Sequence, residues 1–172
     1  PFFSLKLTYV EGNLMAAVLD GKELEFFDLL NEKGEKTGRI KERSLVHEDG
    51  DPHGTSHIWI VRRTEKGYDV LLQKRSTNKD SFPGCYDISS AGHVAAGDEY
   101  LETAVREMQE ELGISAAAED LKQIGVHDGI INGNFCGREF RNHEISAVYV
   151  YDKPVEIEAL SMQKEEVEEV IW

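Results

Sequence analysis

AGHVAAGDEYLETAVREMQEELGI, residues 91–114, joins a glycine-rich loop to one short amphipathic helix. Gly92 and Gly97 belong to the loop, Asp98 is placed to cap the helix, and Gly113 can end it in the left-handed conformation. Tyr100, Leu101, Ala104, Val105, Met108 and Leu112 recur at helical spacing and define one buried face. Glu107, Glu110 and Glu111 form a second cluster beside it. At about 100° per residue they fall within a sector of roughly 100° that overlaps the edge of the apolar stripe.

Like charges three and four residues apart weaken a helix by a few tenths of a kcal/mol each, and partial burial raises that cost unless cations arrive. A divalent metal that prefers hard oxygen donors is one remedy. Arg106, four residues after Glu102 and four before Glu110, is another. A solvated acidic helix face accounts for the same run without any site, and spacing alone does not choose between these readings.

The 172 residues fit one domain with a sizeable core. Hydrophobic residues make up 40% and charged residues 30%, the balance of a globular protein. No apolar run is long enough to span a bilayer and no basic-then-apolar signal opens the chain, so no membrane association is expected and the cytoplasm is the expected location. Cys85 and Cys136 are too few for a disulfide framework and read as free thiols. A net charge of −14 argues against nucleic-acid binding and would repel a polyphosphate unless metals and local cations intervene. Arg62, Arg63, Lys74, Arg75 and Lys79 fall in one short region, either as solvated strand ends or as a phosphate-facing rim.

Along the chain, residues 3–10 alternate as a strand, residues 11–13 turn, and residues 14–19 return as a strand or short helix. Residues 26–30 (FFDLL) form a strand paired, across a turn at 31–34, with residues 37–40. Arg43, Ser44 and His47 lead into a polar loop containing His47 and His53. Residues 56–62 (SHIWIVR) make the central strand, joined by a turn at 65–67 to a strand at 68–74. A loop follows at 76–84, then a short extended segment at 86–90 that feeds the opening stretch. Residues 116–121 read as a helical end or turn, 123–131 as a strand, 132–137 as a glycine-rich loop and 144–151 (EISAVYVY) as a strong strand; 155–160 are ambiguous. The apolar ending at Trp172 suggests either a terminal strand or a domain that runs on. No repeat or linker divides the chain, so residues 1–25 are expected to be an N-terminal strand extension on a domain at 26–172.

Written with gaps, the opening stretch is Gly92-x5-Asp98-x7-Arg106-Glu107-Met108-x-Glu110-Glu111-x-Gly113-Ile114. It resembles the Nudix box, G-x5-E-x7-R-E-(apolar)-x-E-E-x-G-(apolar), at every fixed position but one across 23 residues. The departure is Asp98 for glutamate, with Glu99 directly after it. The resemblance implies an α/β fold, the Nudix α/β/α sandwich with a mixed sheet, and a hydrolase cleaving a phosphoanhydride bond of a small-molecule diphosphate. The substrate would be a nucleoside diphosphate derivative or a nucleoside di- or triphosphate. It further implies Glu107, Glu110 and Glu111 as ligands of Mg²⁺ (Mn²⁺ as substitute) together with the Gly92 carbonyl, and Arg106 as the residue that orients the glutamates. Glu110 or a later acid would be the general base; Glu144 is the leading later acid, ahead of Glu139 and His143, with an ordinary strand-edge carboxylate as its plainer reading. Lys74, Arg75, Lys79 and His93 are the substrate-binding candidates. Homodimers are common among the proteins it resembles.

Residues 26–114, with the strand at Glu144, are also similar to the branch of the superfamily resembling isopentenyl-diphosphate isomerase. That enzyme uses a histidine-and-glutamate metal site, for which His47, His53, His93 and Glu144 stand in place. Two departures favour the hydrolase: Ala91 occupies the position of the isomerase's cysteine, and Asn142 that of its second acid. A noncatalytic ligand-binding module of the same fold is the third reading, and the intact glutamates speak against it.

Overall fold

Apolar alternation and one run of helical periodicity fold the chain into thirteen strands and two α-helices among the described residues, 5–10, 13–19, 21–79, 81–135 and 138–172, of this computed structural model. The first three strands, β1 (Leu5–Val10), β2 (Asn13–Leu19) and β3 (Lys22–Leu24), pair antiparallel in a sheet of their own. Residues 14–19 are therefore strand and not helix. Next come β4 (Phe26–Leu30), β5 (Lys36–Glu42), α1 (Arg43–Asp49), β6 (Pro52–Thr64), β7 (Gly67–Val70), β8 (Leu72–Arg75), β9 (Tyr86–Asp87) and β10 (Ser90–His93). The remainder is α2 (Tyr100–Leu112), β11 (Leu121–Phe135), β12 (Arg138–Tyr151) and β13 (Val167–Ile171), with single 3₁₀ turns at Ala118–Asp120 and Ile157–Ala159.

The central sheet runs β11-β12-β6-β4-β5, with β10 and β7 also paired to β6. Its β12–β6 pair is parallel and the others are antiparallel, so the sheet is mixed as expected. A smaller sheet, β13-β8-β9, lies beside it. The single strand expected at 68–74 is thus two: β7 stays with β6, and the chain passes through buried Leu71 into the second sheet.

α2 covers one face of the central sheet. Ala104, Met108 and Leu112 are fully buried there with Ile58, Ile60 and Tyr149, while Tyr100, Leu101 and Val105 pack at the edge of the same cluster. The face expected from periodicity is the face that is buried. α1 covers the opposite side with Phe27, Leu29 and Val46, completing the layered α/β/α arrangement.

Three local expectations give way to the structure. The polar loop expected over residues 47–54 is largely ordered: α1 runs from Arg43 to Asp49 and β6 begins at Pro52. The Glu42 carboxylate accepts the amide of Ser44 at 3.0 Å, Val46 is fully buried, and Gly50 closes the turn with φ 74°. Asp98 does not cap α2: Glu99 occupies that position without a side-chain capping bond, and Asp98 instead accepts from Arg106 Nη1 at 2.8 Å. The loop expected at 132–137 is strand as far as Phe135, because β11 stays in register with β12 from Gly125↔Val148 to Phe135↔Arg138. Residues 136 and 137, and with them Cys136, lie outside the described residues.

Candidate active site

Strand alternation on β10 divides the candidate residues between two faces. Gly92 pairs with Ser56, whose hydroxyl donates to the Tyr100 carbonyl of α2 at 2.6 Å, so Ser90 and Gly92 look toward α2. Ala91 and His93 pair with His57 and Thr55 and look the other way.

On the α2 side, Glu107 lies flat against Gly92. A Cβ on that glycine would stand 2.1 Å from Glu107 Cδ and 2.2 Å from Oε1, so only glycine lets the carboxylate seat there. One turn further along, Glu111 is buried and accepts from Ser90 Oγ at 2.7 Å, from the Ala91 amide at 3.3 Å and from Gln73 Nε2 at 3.4 Å. Burial pushes both carboxyls up to about 7, in Glu107 against the opposing pull of Arg106 and in Glu111 against the hydrogen bond from Ser90. Arg106 Nη2 reaches Glu107 Oε1 at 3.4 Å and the His93 carbonyl at 3.5 Å, tying the helix to the loop. Glu110 is exposed, and its charge adds to the upward push on Glu107. Gly92, Arg106, Glu107 and Glu111 therefore come together, with Glu110 at the rim.

The other face holds the histidines. His53 and His93 stack on Phe27 at ring separations of 5.2 and 4.8 Å, and His47 from α1 stands edge-on at 5.1 Å from His53 and 5.5 Å from His93. One ligand-capable atom of each lies within 4.8 Å of the others. The Nε2 atoms of all three are buried without a hydrogen-bond partner. His53 Nδ1 is 2.9 Å from the Asp51 carbonyl, which can only accept, so Nδ1 carries the proton and the Nε2 lone pair is free. Burial lowers all three pKa values, that of His47 to about 4.

The sign of this effect makes a prediction. A histidine whose folded pKa is depressed contributes stability that is full above the unfolded value near 6.5 and is lost as pH falls through the folded value, here near 4 for His47. In NMR titrations of the metal-free protein all three imidazoles should titrate below the ordinary value near 6.5, that of His47 near 4. A midpoint near 6.5 for any of them would contradict the burial argument.

Glu144 belongs to this histidine face. It pairs in register with His53, accepts from Asn142 Nδ2 at 2.7 Å, and lies 3.6 Å from His57 Nε2 and 3.7 Å from His93 Nε2. Burial would raise its carboxyl, but the His57 contact and the Asn142 amide outweigh it and hold the pKa below the usual carboxylate range. The structure thus separates Glu144 from Glu107 and Glu111 by the thickness of β10.

Among the cations expected at a phosphate rim, Arg62 pairs with Asp69 at 2.9 Å. Lys74 pairs with Glu168 at 2.9 Å, and Arg75 with Asp87 at 3.1 Å and with the Ser81 carbonyl. Alternation points Lys74 away from Gln73, whose amide reaches Glu111. Lys79 pairs with Glu166, and these two bear directly on the α2 acids: Lys79 lowers the Glu111 pKa and Glu166 raises that of Glu107. Ser90, Gln73 and Glu166 escaped the sequence reading. A serine and a glutamine in short extended segments carry no periodic signal, and Glu166 is one acid in a run of them.

A sheet clasped between helices, with a glycine loop delivering a helix of inward acids, defines a class, and comparison with known proteins gives the same one. The NUDIX domain model matches residues 52–172, and the chain belongs to that family. It is 44% identical over 150 residues to Nudix hydrolase 3 of Arabidopsis thaliana, covering 85% of this chain and 19% of that protein. It is 41% identical over 145 residues to an uncharacterized Nudix hydrolase of Clostridium acetobutylicum, covering 84% of this chain and 68% of that one. A Deinococcus radiodurans crystal structure superposes with a TM-score of 0.64 at 18% identity, over 86% of this chain and 82% of that chain, a likeness of fold alone.

Proposed function

We propose that this Nudix domain hydrolyses a phosphoanhydride bond in a nucleoside diphosphate derivative or a nucleoside di- or triphosphate. Mg²⁺, or Mn²⁺ in its place, would be held by Glu107, Glu110, Glu111 and the Gly92 carbonyl. The observation that carries this reading is the pair of carboxylates one helical turn apart, half-buried Glu107 and buried Glu111, both pushed up to about 7 by desolvation. Carboxylate and carbonyl oxygens are the hard donors that magnesium and manganese prefer. The bare glycine backbone under Glu107 is a seat that any side chain would fill.

When bound, the cation neutralises diphosphate charge and makes a water acidic enough to be deprotonated near neutral pH. The chain's own residues do the rest. Arg106 fixes Glu107 by bridging it to Asp98. Exposed Glu110 is the acid best placed to take a proton from water at the rim. Lys79, in the loop after β8, can exchange Glu166 for a substrate phosphate, with Lys74 and Arg75 on β8 itself. The reading of Glu144 as general base has weaker support, since a carboxylate held below its usual range is a poor proton acceptor.

The isomerase-like alternative keeps one observation in its favour. Three buried imidazole nitrogens that converge without hydrogen-bond partners, and a carboxylate beside them, make a donor set suited to a transition ion. On that reading His93 is a metal ligand in place of a substrate contact. Residues 26–172 are the unit we assign to the activity, with 1–25 as an extension, since β1–β3 form a separate sheet and β4 joins the central one. A cytoplasmic setting fits Cys85, which is an exposed free thiol.

Incubation with Mg²⁺ and a panel of nucleotides, sugar nucleotides and isopentenyl diphosphate tests the proposal. Release of phosphate or nucleoside monophosphate is expected. Isomerised prenyl diphosphate without release would instead support the histidine centre.

A further inference from the structure

Three donors converge on a single oxygen of Glu111. Ser90 Oγ, the Ala91 amide and Gln73 Nε2 all reach Oε2, at 2.7, 3.3 and 3.4 Å. Ser90, Gln73 and Glu111 are 0%, 3% and 7% exposed, so no competing water reorients the group. Ser90 comes from β10 in the central sheet and Gln73 from β8 in the smaller one, and Glu111 stands where the two sheets meet. A free glutamate carboxylate rotates among several rotamers, and ordering it costs side-chain entropy. Donors fixed on two sheets meet that cost in the folding of the chain.

We infer that Ser90, backed by Gln73, is a positioning residue: it engages Oε2 of Glu111 and leaves Oε1 as the oxygen free for a divalent cation. The inference rests on the reading of Glu111 as a ligand given above. It adds that the ligand's orientation is set by a hydroxyl one residue before Ala91, which neither binds the cation nor touches substrate. Partners that orient a ligand are worth about 10–100-fold in metal affinity when removed.

The test is a double-mutant cycle on Mn²⁺ affinity, read by electron paramagnetic resonance with MnCl₂ as the probe, in wild type, Ser90→Ala, Glu111→Gln and the double variant. Ser90→Ala should weaken Mn²⁺ binding by about tenfold in the wild-type background. In the Glu111→Gln background it should change binding by less than about twofold, because the group that Ser90 orients is gone. Gln73→Met, which keeps volume and loses the donor, provides the same cycle should Ser90→Ala fold poorly. Equal weakening in both backgrounds, or no weakening in either, would overturn the positioning role. Glu111→Gln binding Mn²⁺ as tightly as wild type would remove Glu111 itself from the site, and the inference with it.

Discussion

Replacing Glu111 by Gln should cost turnover on the order of 1,000-fold while the protein stays folded, because removing a ligand should exceed the roughly 10–100-fold cost of removing its supporting partner. The substitution keeps the side chain's volume and its acceptor oxygen for Ser90, so packing around Met108 and Leu112 is undisturbed. It should also stabilise the metal-free protein. Burial raises the Glu111 pKa from 4.5 to about 7, so the folded state holds a proton between those values that the unfolded state gives up. Above pH 7 the ionised, buried carboxylate therefore opposes folding. In EDTA at pH 8 the glutamine variant should melt above wild type, by several degrees at about 2–4 °C per kcal/mol for a chain of this size. The margin should shrink as pH falls through 7 toward 4.5. Thermal melts across that range check the sign, and a variant less stable than wild type at pH 8 would show that the carboxylate is not strained by its burial.

The second large effect is expected at a residue with no side chain. Gly92→Ala places a methyl group 2.1–2.3 Å from Cδ, Oε1 and Cγ of Glu107. The backbone of β10 is fixed by its pairing with β6, so the flexible glutamate moves and the strand does not. Activity should fall by about 100-fold or more, comparable with losing a supporting contact or a ligand. Stability should change by no more than about 1 kcal/mol, since a displaced Glu107 leaves the helix surface toward solvent and relieves its own desolvation. A steady-state assay alongside a denaturant titration separates the two. An alanine variant with wild-type turnover would mean that Glu107 needs no seat on the glycine.

Much of this architecture is legible locally and some of it is not. The α2 face from Tyr100 to Leu112 and the glutamates beside it follow from helical periodicity, a property of neighbouring residues, and the structure places them accordingly. α1 is invisible to the same reasoning. Seven residues hold too few turns to show a period, and what stabilises it is the Glu42 cap and the burial of Val46 against distant Phe27. The division of the candidate residues between two faces is half legible. Alternation along Ser90-Ala91-Gly92-His93 separates Gly92 from His93, but only the parallel pairing of β12 with β6 brings Glu144 to His53. That contact spans some ninety positions of sequence and has no local signature. The same limit hides the Ser90–Glu111–Gln73 network, which depends on two sheets meeting.

As proposed ligands for a divalent cation, Glu107 and Glu111 are kept at a cost to the metal-free fold. Both sit near pKa 7, so at pH 7 each is about half protonated, and a cation binding between them must expel what they hold. Saturating MgCl₂ or MnCl₂, added to the protein in weak buffer at pH 7, should release about one proton per cation bound, and fewer in Glu111→Gln. Cation binding with no proton release from wild type would contradict the account.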